Sequence, residues 1–398
     1  RRSDPLHDRT HGPELCHAMP YGHAAGRVRD PGRRAPVPDP RAWSPVPGAL
    51  RPAAAGSVTA GAAIGRPAAH RERPDGSPRR VHRLLGMPEL VVEVVRSGFV
   101  ECVHRVRVHV VDAQGAPVMV RGDTAALASP RSAMKPLQAL AMLRHGLPLT
   151  GELLALACSS HCGEAFHVDG VRKILASAGL DESALRCPPD LPYDEESRLR
   201  VIRSGGTAER IYMNCSGKHA AMLATCAVNG WPLDSYLHPG HPLQRAIRAA
   251  VEELTGERIA ATGVDGCGAP LLFVSMTGVV RAYRRLVLAE GGPERRIADA
   301  MRAHPEWTTG TARPETALMR AIPGLLVKSG AEGFVVWAHS DGRAGAVKVE
   351  DGGERARMPA TVAALRAAGL DAPELTGLAT TPLFGGGEPV GEVRVRPA

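Results

Sequence analysis

One short segment of the chain places a hydroxyl and an amine three residues apart. It spans residues 130–136 (PRSAMKP), so Ser132 and Lys135 are neighbours if the segment is helical. A serine is a poor nucleophile until a base takes its proton, and a lysine amine is such a base once burial or nearby cations lower its pKa. Because proline is tolerated only near a helix start, Pro136 predicts a helix that begins near Ser132.

A second lysine motif, Lys328-Ser329-Gly330, lies just before an apolar run that predicts a strand. On an edge strand, this motif would bring an ammonium beside a nucleophile on the facing helix. Ser-x-x-Lys with a later Lys-Thr-Gly is the pairing of class A β-lactamases and penicillin-binding proteins. Taken alone, the first motif is compatible with an N-cap serine and a solvated lysine. The second motif, in the right order, strengthens the catalytic interpretation.

Between these motifs, residues 158–164 (CSSHCGE) supply a further serine that could bridge the nucleophile and a lysine. Either Ser160 or Ser159 has the right place for this role. The same segment also allows a metal site made of its two cysteines and His161, or simply a helix that ends in a turn.

Two polar loops that open predicted helices each carry one cysteine. Cys215 lies in residues 214–219 (NCSGKH), and Cys267 lies in residues 265–270 (DGCGAP). Thiolates suit zinc, and these two with a third ligand would make a site with an open position. The paired Cys-x-x-Cys spacing of many zinc proteins is absent, so each cysteine is also compatible with a small buried apolar residue.

The elements around these motifs predict one layout. β-Branched and alternating residues predict an antiparallel meander over 90–120, whereas 133–325 is mostly helical in pattern and includes a predicted helix at 269–289. Strands return after residue 333, and one helix, 359–368, precedes the last of them. We therefore predict an α/β (α+β) domain in which both chain ends build one antiparallel sheet, flanked by helices, with a mostly helical middle region.

Residues 1–86 differ in composition from the rest of the chain. They hold 15 Arg, 7 acidic residues and 13 of the 34 prolines, without apolar periodicity, so we predict a disordered extension. This segment carries the whole net charge of +8, and the remaining 34 basic and 34 acidic residues balance. Because residues 87–398 carry no net charge, the sequence argues against a nucleic-acid partner. The eight cysteines are too sparse for a disulfide scaffold.

No stretch approaches the roughly 18 to 20 apolar residues that a membrane span requires, and the start of the chain lacks the apolar run of a secretory signal. We therefore expect a cytoplasmic protein without a membrane partner.

Six segments in order resemble the asparaginase II family, the rhizobial-type L-asparaginases. The segments are 130–138, 160–167, 215–219, 265–270, 310–319 and 328–333. The resemblance covers about residues 88–351 well, the C-terminal 47 residues loosely, and residues 1–86 not at all. It implies a fold similar to serine β-lactamases and penicillin-binding proteins, and hydrolysis of L-asparagine to L-aspartate and ammonia.

The resemblance also implies a role for individual residues. Ser132 is then the nucleophile with Lys135 as its base, and Ser160 and Lys328 form a second Ser–Lys pair. The stretch before Lys328 is compact, so Lys348 is the alternative for that position.

The same resemblance implies a zinc site, a substrate site and a homodimer. The zinc ligands are Cys215, Lys218 and Cys267, and no nucleotide or organic cofactor is expected. The residues that we assign to substrate binding from the matching segments are His161, Arg313 and Thr316.

Two other functions compete with this one. The first is another serine amidohydrolase on the same scaffold, such as a glutaminase, a β-lactamase or a DD-peptidase, although the cysteine loops are foreign to β-lactamase patterns. The second is a non-enzymatic zinc or redox module with a DNA-binding basic arm. It predicts salt-sensitive DNA binding that is lost when residues 1–86 are deleted.

Overall fold

The computed structural model describes residues 88–397, so the predicted extension at 1–86 lies outside the described residues. The strands are β1 (Leu90–Arg96), β2 (Phe99–Val111), β3 (Pro117–Arg121), β4 (Leu127–Ala128), β5 (Ala261–Val264), β6 (Pro270–Ser275), β7 (Leu325–Gly330), β8 (Phe334–His339), β9 (Ala344–Val349), β10 (Thr380–Gly385) and β11 (Glu388–Val395). The α-helices are α1 (Lys135–Arg144), α2 (Gly151–Ala157), α3 (Ala165–Ser177), α4 (Glu195–Arg203), α5 (Ser216–Val228), α6 (Pro242–Thr255), α7 (Met276–Leu288), α8 (Gly292–Ala303), α9 (Pro305–Thr308), α10 (Pro314–Ala321) and α11 (Glu354–Ala367).

The main sheet has the strand order β10-β11-β1-β2-β9-β8-β7, with β3 also paired to β2. Every neighbouring pair is antiparallel. The first strand pairs with the last, in the register Val92↔Val395. The predicted α/β architecture, with one antiparallel sheet built from both chain ends around a mostly helical middle, is therefore confirmed.

Alternating side chains explain how this sheet is covered. In β2, Val106, Val108 and Val110 are buried in one core with Ala360 and Ala364 of α11. The opposite face of the sheet packs against the helical region, where α7 contacts β8 and β9. An alternating strand presents one face to each layer, so the sheet separates two apolar cores.

Outside the Ser132 segment, two predicted helices differ from the structure. Residues 270–275 form β6, which pairs with β4 and β5 in a small second sheet, and α7 begins only at Met276. The side chain of Ser275 caps α7 by accepting the Gly278 N–H, which fixes the later start. Helix α11 begins at Glu354 rather than at the predicted 359, and Pro359 lies inside it.

Within residues 88–397, no helix is long and apolar enough to cross a membrane. The seven cysteines of this range are free thiols.

Candidate active site

Ser132 lies in a 3-10 turn, Arg131–Met134, that leads directly into α1. The α-helix begins at Lys135, three residues after the predicted start, because Pro136 would disrupt a helix that had begun at Ser132. Side chains three residues apart eclipse one another in a 3-10 turn, so Ser132 and Lys135 still share one side of it. Ser132 is partly exposed, whereas Lys135 is buried.

Two lysine amines meet at the hydroxyl of Ser160. Lys135 Nζ lies 3.0 Å from Ser160 Oγ and donates to the backbone oxygen of Ser159 at 2.5 Å. Lys328 Nζ lies 3.1 Å from the same hydroxyl and donates to the backbone oxygen of Ser329 at 2.9 Å. The structure therefore brings together three of the four residues predicted to be catalytic.

The sheet edge and the loop after α2 hold these groups in place. Lys328 lies on β7, the last strand of the main sheet, opposite Val336, as the edge-strand prediction required. Ser160 follows α2, and its backbone N–H donates to Thr308 O at 3.2 Å. Strand pairing holds the backbone of Lys328, and the hydrogen bond to Thr308 holds the backbone of Ser160. These backbone contacts fix the distance between the Lys328 amine and the Ser160 hydroxyl.

The environment of Lys328 favours a neutral amine. Its side chain is 1% exposed, and burial together with the nearby Lys135 ammonium lowers the pKa of Lys328 from 10.5 to about 7. The carboxylate of Glu315 raises the pKa of Lys328, but this effect is smaller than the lowering by burial and by Lys135. Near neutral pH, Lys328 can therefore accept a proton as well as donate one.

The structure favours one residue in each pair of alternatives left by the sequence. Lys348 Nζ donates to Glu332 O at 2.8 Å, whereas Lys328 contacts Ser160. The hydroxyl of Ser159 is buried and has no hydrogen-bond partner within residues 88–397. Lys328 and Ser160 thus occupy the positions that the sequence proposed for them.

In the described part of the chain, no hydrogen bond joins the hydroxyl of Ser132 to Lys135. Hydrogen bonds of catalytic groups are often long in unliganded enzymes and shorten only when substrate is bound. Ser132 therefore remains a candidate nucleophile on its position and its exposure, beside a lysine whose amine is already engaged with Ser160.

Close backbone packing sets the distance between β7 and the Ser132 turn. A Cβ atom added at Gly330 would lie 2.1 Å from Pro130 O and 3.4 Å from the Ala133 nitrogen. Only glycine lets the strand approach this turn so closely. Gly330 of the Lys-Ser-Gly motif is therefore required for the Ser132 turn to pack against the strand that carries Lys328.

Replacing Gly330 with alanine should lower the free energy of unfolding by about 1 to 3 kcal/mol, because the blocking atoms belong to backbone that cannot move aside. Thermal unfolding of the full chain measures this. Gly377→Ala is the matched control, since an added Cβ there meets no atom within 4 Å. Equal unfolding temperatures for the two variants would contradict the close packing.

The three predicted metal ligands form a second buried cluster. Lys218 Nζ donates to Cys267 Sγ at 3.0 Å, and Cys215 lies beside the same sulfur. The hydrogen bond from the Cys215 thiol and the charge of Lys218 lower the pKa of Cys267 well below its usual range. Burial disfavours the Lys218 ammonium, yet the negative charge on Cys267, with Cys215 beside it, outweighs burial and raises the pKa of Lys218.

This donor set suits a soft metal ion. Two sulfur atoms and one amine converge, and all three side chains are at most 4% exposed. Nearby, the buried Nε2 atom of His219 has no hydrogen-bond partner within the described residues. Thiolates with nitrogen donors favour zinc over magnesium or calcium. The two sulfur atoms therefore fit a zinc ion chemically, and Lys218 can be a third ligand once its amine has lost a proton.

Two of the residues assigned to substrate binding are buried in contacts with neighbouring loops. The ring of His161 is fully buried, and its nitrogens contact Ser216 Oγ at 2.8 Å and the Gly163 N–H at 3.1 Å. Thr316 is 1% exposed and donates to Gly310 O at 2.7 Å. Each side chain holds neighbouring loops and presents no free polar atom to a substrate.

Arg313 is the one residue of that group that is accessible. Its side chain is 24% exposed, its guanidinium lies 5.1 Å from the ring centre of Tyr193, and its Nε lies 3.8 Å from Glu315 Oε2. A partly exposed guanidinium of this kind can bind a carboxylate. Arg313 therefore remains our candidate for substrate binding.

The structure adds two ion pairs that sequence reasoning missed. Buried Glu315 accepts a hydrogen bond from Arg357 at 2.5 Å, and Arg131 donates to Asp265 at 2.8 Å. Asp265 and Glu315 lie in motifs that the sequence singled out, but no spacing rule connects them to partners that are 134 and 42 residues away, respectively.

Comparisons with solved structures give only weak similarities. The Mglu structure in its Tris and glutamate form shares 15% identity at a TM-score of 0.30, over 67% of this chain and 58% of the Mglu chain. EstCE1, a hydrolase with promiscuous acyltransferase activity, shares 15% identity at a TM-score of 0.33, over 71% of this chain and 93% of its own. The chain thus spans less than two thirds of Mglu. Scores of this size do not establish a common fold.

Comparison with protein families gives a clear result. No curated protein matches the chain. The L-asparaginase II family, however, matches residues 92–395, a range that begins within β1, ends with β11 and includes every candidate site residue. With the Ser–Lys arrangement and the cysteine loops in place, the chain belongs to the L-asparaginase II family.

Proposed function

We propose that the protein hydrolyses L-asparagine to L-aspartate and ammonia through an acyl-enzyme on Ser132. The observation that carries this proposal is the meeting of two buried lysine amines at one serine hydroxyl, beside an accessible serine in the preceding turn. Such an arrangement can remove a proton from a nucleophile and return it to a leaving group. Membership in the family supports an amide as the substrate.

In the first half of the reaction, Ser132 Oγ attacks the side-chain amide carbon of asparagine, and its proton passes through Lys135 and the hydroxyl of Ser160 to the neutral amine of Lys328. Backbone N–H groups at the start of α1 hold the resulting oxyanion. The C–N bond then breaks, and the leaving nitrogen takes a proton that reaches it from Lys135 through the hydroxyl of Ser160. Ammonia leaves, and aspartate remains as an ester of Ser132.

In the second half, water attacks this ester and loses a proton to the same relay. Ser132 recovers its proton as aspartate departs. Two ammonium groups on one hydroxyl repel each other, which favours the release of a proton from this relay to the departing group. We assign Lys328 the task of accepting the Ser160 proton when Ser160 must act as a base.

This assignment predicts a pH dependence. The neutral form of Lys328 dominates above its pKa of about 7, so kcat/KM for ammonia release should rise with pH up to about 7 and level off above it. The charged or titratable groups facing Lys328 include Lys135, Glu315, Cys215, Arg357 and Cys158. A pH–rate profile from pH 5 to 9 measures this. A flat profile would show that no such group limits the reaction.

We further propose that Cys215, Lys218 and Cys267 hold a zinc ion beside the site. Bound there, zinc would supply a fixed positive charge that positions the substrate. The purified full chain should contain about one zinc ion, measured by inductively coupled plasma mass spectrometry, and Cys267→Ala should lose it. Cys226→Ala, which removes an equally buried thiol, is the control and should keep it. Equal zinc in both variants would place the metal elsewhere.

The decisive test of the proposed function is ammonia release from L-asparagine by the purified full chain. L-Glutamine is the comparison substrate, because one methylene changes transition-state binding by only about 1 to 3 kcal/mol. A labelled penicillin tests the β-lactamase and DD-peptidase alternatives through acylation of the protein. No ammonia from asparagine by a folded chain would refute the proposal.

A further inference from the structure

The residue before Ser132 has an unusual backbone conformation. Arg131 has a φ of +51°, in the left-handed region that residues other than glycine rarely adopt. Two other non-glycine residues between 88 and 397 share a positive φ, Ser97 and Glu332, and both lie in turns between neighbouring strands. Such turns adopt this conformation commonly. Arg131 instead occupies it at the entrance to α1, beside the proposed nucleophile.

A partly buried ion pair holds the side chain of Arg131. Its Nε donates to Asp265 Oδ1 at 2.8 Å, and the two side chains are 22% and 14% exposed. The carboxylate itself is fixed, because the same oxygen accepts the Gly266 N–H at 2.8 Å, and the Asp265 N–H donates to Ala269 O at 2.9 Å. The guanidinium is therefore tied to a rigid loop, two residues before Cys267.

The turn is also confined from behind. The Ala133 N–H donates to Pro130 O at 3.0 Å, and a Cβ at Gly330 would meet that same oxygen. A strained backbone persists only when its surroundings determine it from several sides. Here β7 confines one side of the turn, and Asp265 holds the other through Arg131.

We infer that Arg131 and Asp265 are a positioning pair that fixes the Ser132 turn and connects it to the Cys267 loop. The inference rests on the proposed function of Ser132 as the nucleophile. Neither residue takes part in bond making or breaking. The ion pair orients the serine hydroxyl through the backbone, so its loss should affect turnover and leave substrate binding nearly unchanged.

Two single variants and their combination test this inference. Asp265→Asn removes the charge and keeps the shape of the side chain, whereas Arg131→Gly removes the guanidinium and accepts the positive φ without strain. Each should lower kcat about 10- to 100-fold, because a misplacement of about 1 Å in a catalytic group has effects of this size. KM should stay within about threefold, and the double variant should lose no more than either single variant.

Two further variants serve as references. Arg131→Lys keeps the positive charge and should retain more turnover than Arg131→Gly. Glu294→Gln breaks a comparable ion pair with Arg144 at the other end of α1, where the distance is 2.5 Å and the exposed fractions are 29% and 20%. This control should leave kcat unchanged.

Several outcomes would overturn the inference. Losses that multiply in the double variant would show that the two residues act separately. A raised KM with normal kcat in Arg131→Gly would make Arg131 a substrate ligand instead. An equal loss of kcat in Glu294→Gln would reduce the effect to general destabilisation.

A substrate-independent measurement separates this inference from the proposed function. A fluorophosphonate labels activated serines, and peptide mass spectrometry locates the label at Ser132. The labelling rate should fall in Asp265→Asn and Arg131→Gly and stay normal in Glu294→Gln. If the parent chain releases no ammonia but is labelled at Ser132, asparagine is refuted as the substrate. The labelling rates of the variants then still show whether Arg131 and Asp265 position Ser132.

Discussion

Replacement of Ser132 by alanine is expected to lower kcat for ammonia release from L-asparagine by at least about 10³-fold. The variant lacks the atom that forms the acyl-enzyme, and removal of a nucleophile leaves only the catalysis that binding and oxyanion stabilisation supply. Stability should hardly change, because the side chain is small and partly exposed. Steady-state ammonia assays with the full chain, beside thermal unfolding, give both quantities.

The matched control is Ser129→Ala, three residues earlier. The Ser129 hydroxyl is buried and has no hydrogen-bond partner within residues 88–397, so its removal should leave turnover unchanged. If Ser132→Ala keeps most of its activity while Ser160→Ala loses it, the nucleophile is Ser160 and the roles of the two serines are reversed.

The second large effect is expected at Lys328. Methionine has a similar length but no amine, so Lys328→Met removes the proton acceptor without leaving a buried charge. Loss of a general base usually lowers the rate by about 10² to 10⁴-fold. Thermal stability should stay equal or rise, because the parent buries an amine that water would solvate better.

Opposite changes in activity and stability distinguish a catalytic lysine from a structural one. Lys348→Met is the control on the neighbouring part of the sheet, since Lys348 bonds only to backbone oxygens. A variant at Lys328 that loses activity and stability together would indicate that the amine maintains the fold. A variant that keeps its kcat would remove Lys328 from the mechanism.

The sheet was predictable because its signal is local. The alternation along β2 and the apolar runs of β8 and β9 mark strands without reference to the rest of the chain. The predicted helix at 269–289 was wrong over its first part, because Pro270–Ser275 is a short apolar run that fits a strand or a helix equally well. Pairing with β4 and β5 decides between them, and that contact is not visible in the segment itself.

Some features of the candidate site could likewise be predicted from local sequence, and others could not. Ser132 and Lys135 are three residues apart, so spacing alone predicts their proximity, and motif resemblance extends this to Ser160 and Lys328. His161 and Thr316 lie in equally suggestive motifs, yet the fold buries both in contacts between loops. Burial depends on what packs against a segment, which motif spacing does not report.

The pairing of the first strand with the last one has a consequence for biosynthesis. Glu93 on β1 bonds to Arg396, a residue 303 positions later, so the ribosome makes the two partners at opposite ends of synthesis. Until β11 emerges, β1 has an open edge that can pair with other chains. Contacts of such high sequence separation also slow folding. The nascent protein should therefore depend on chaperones, and truncation before β11 should send it into aggregates.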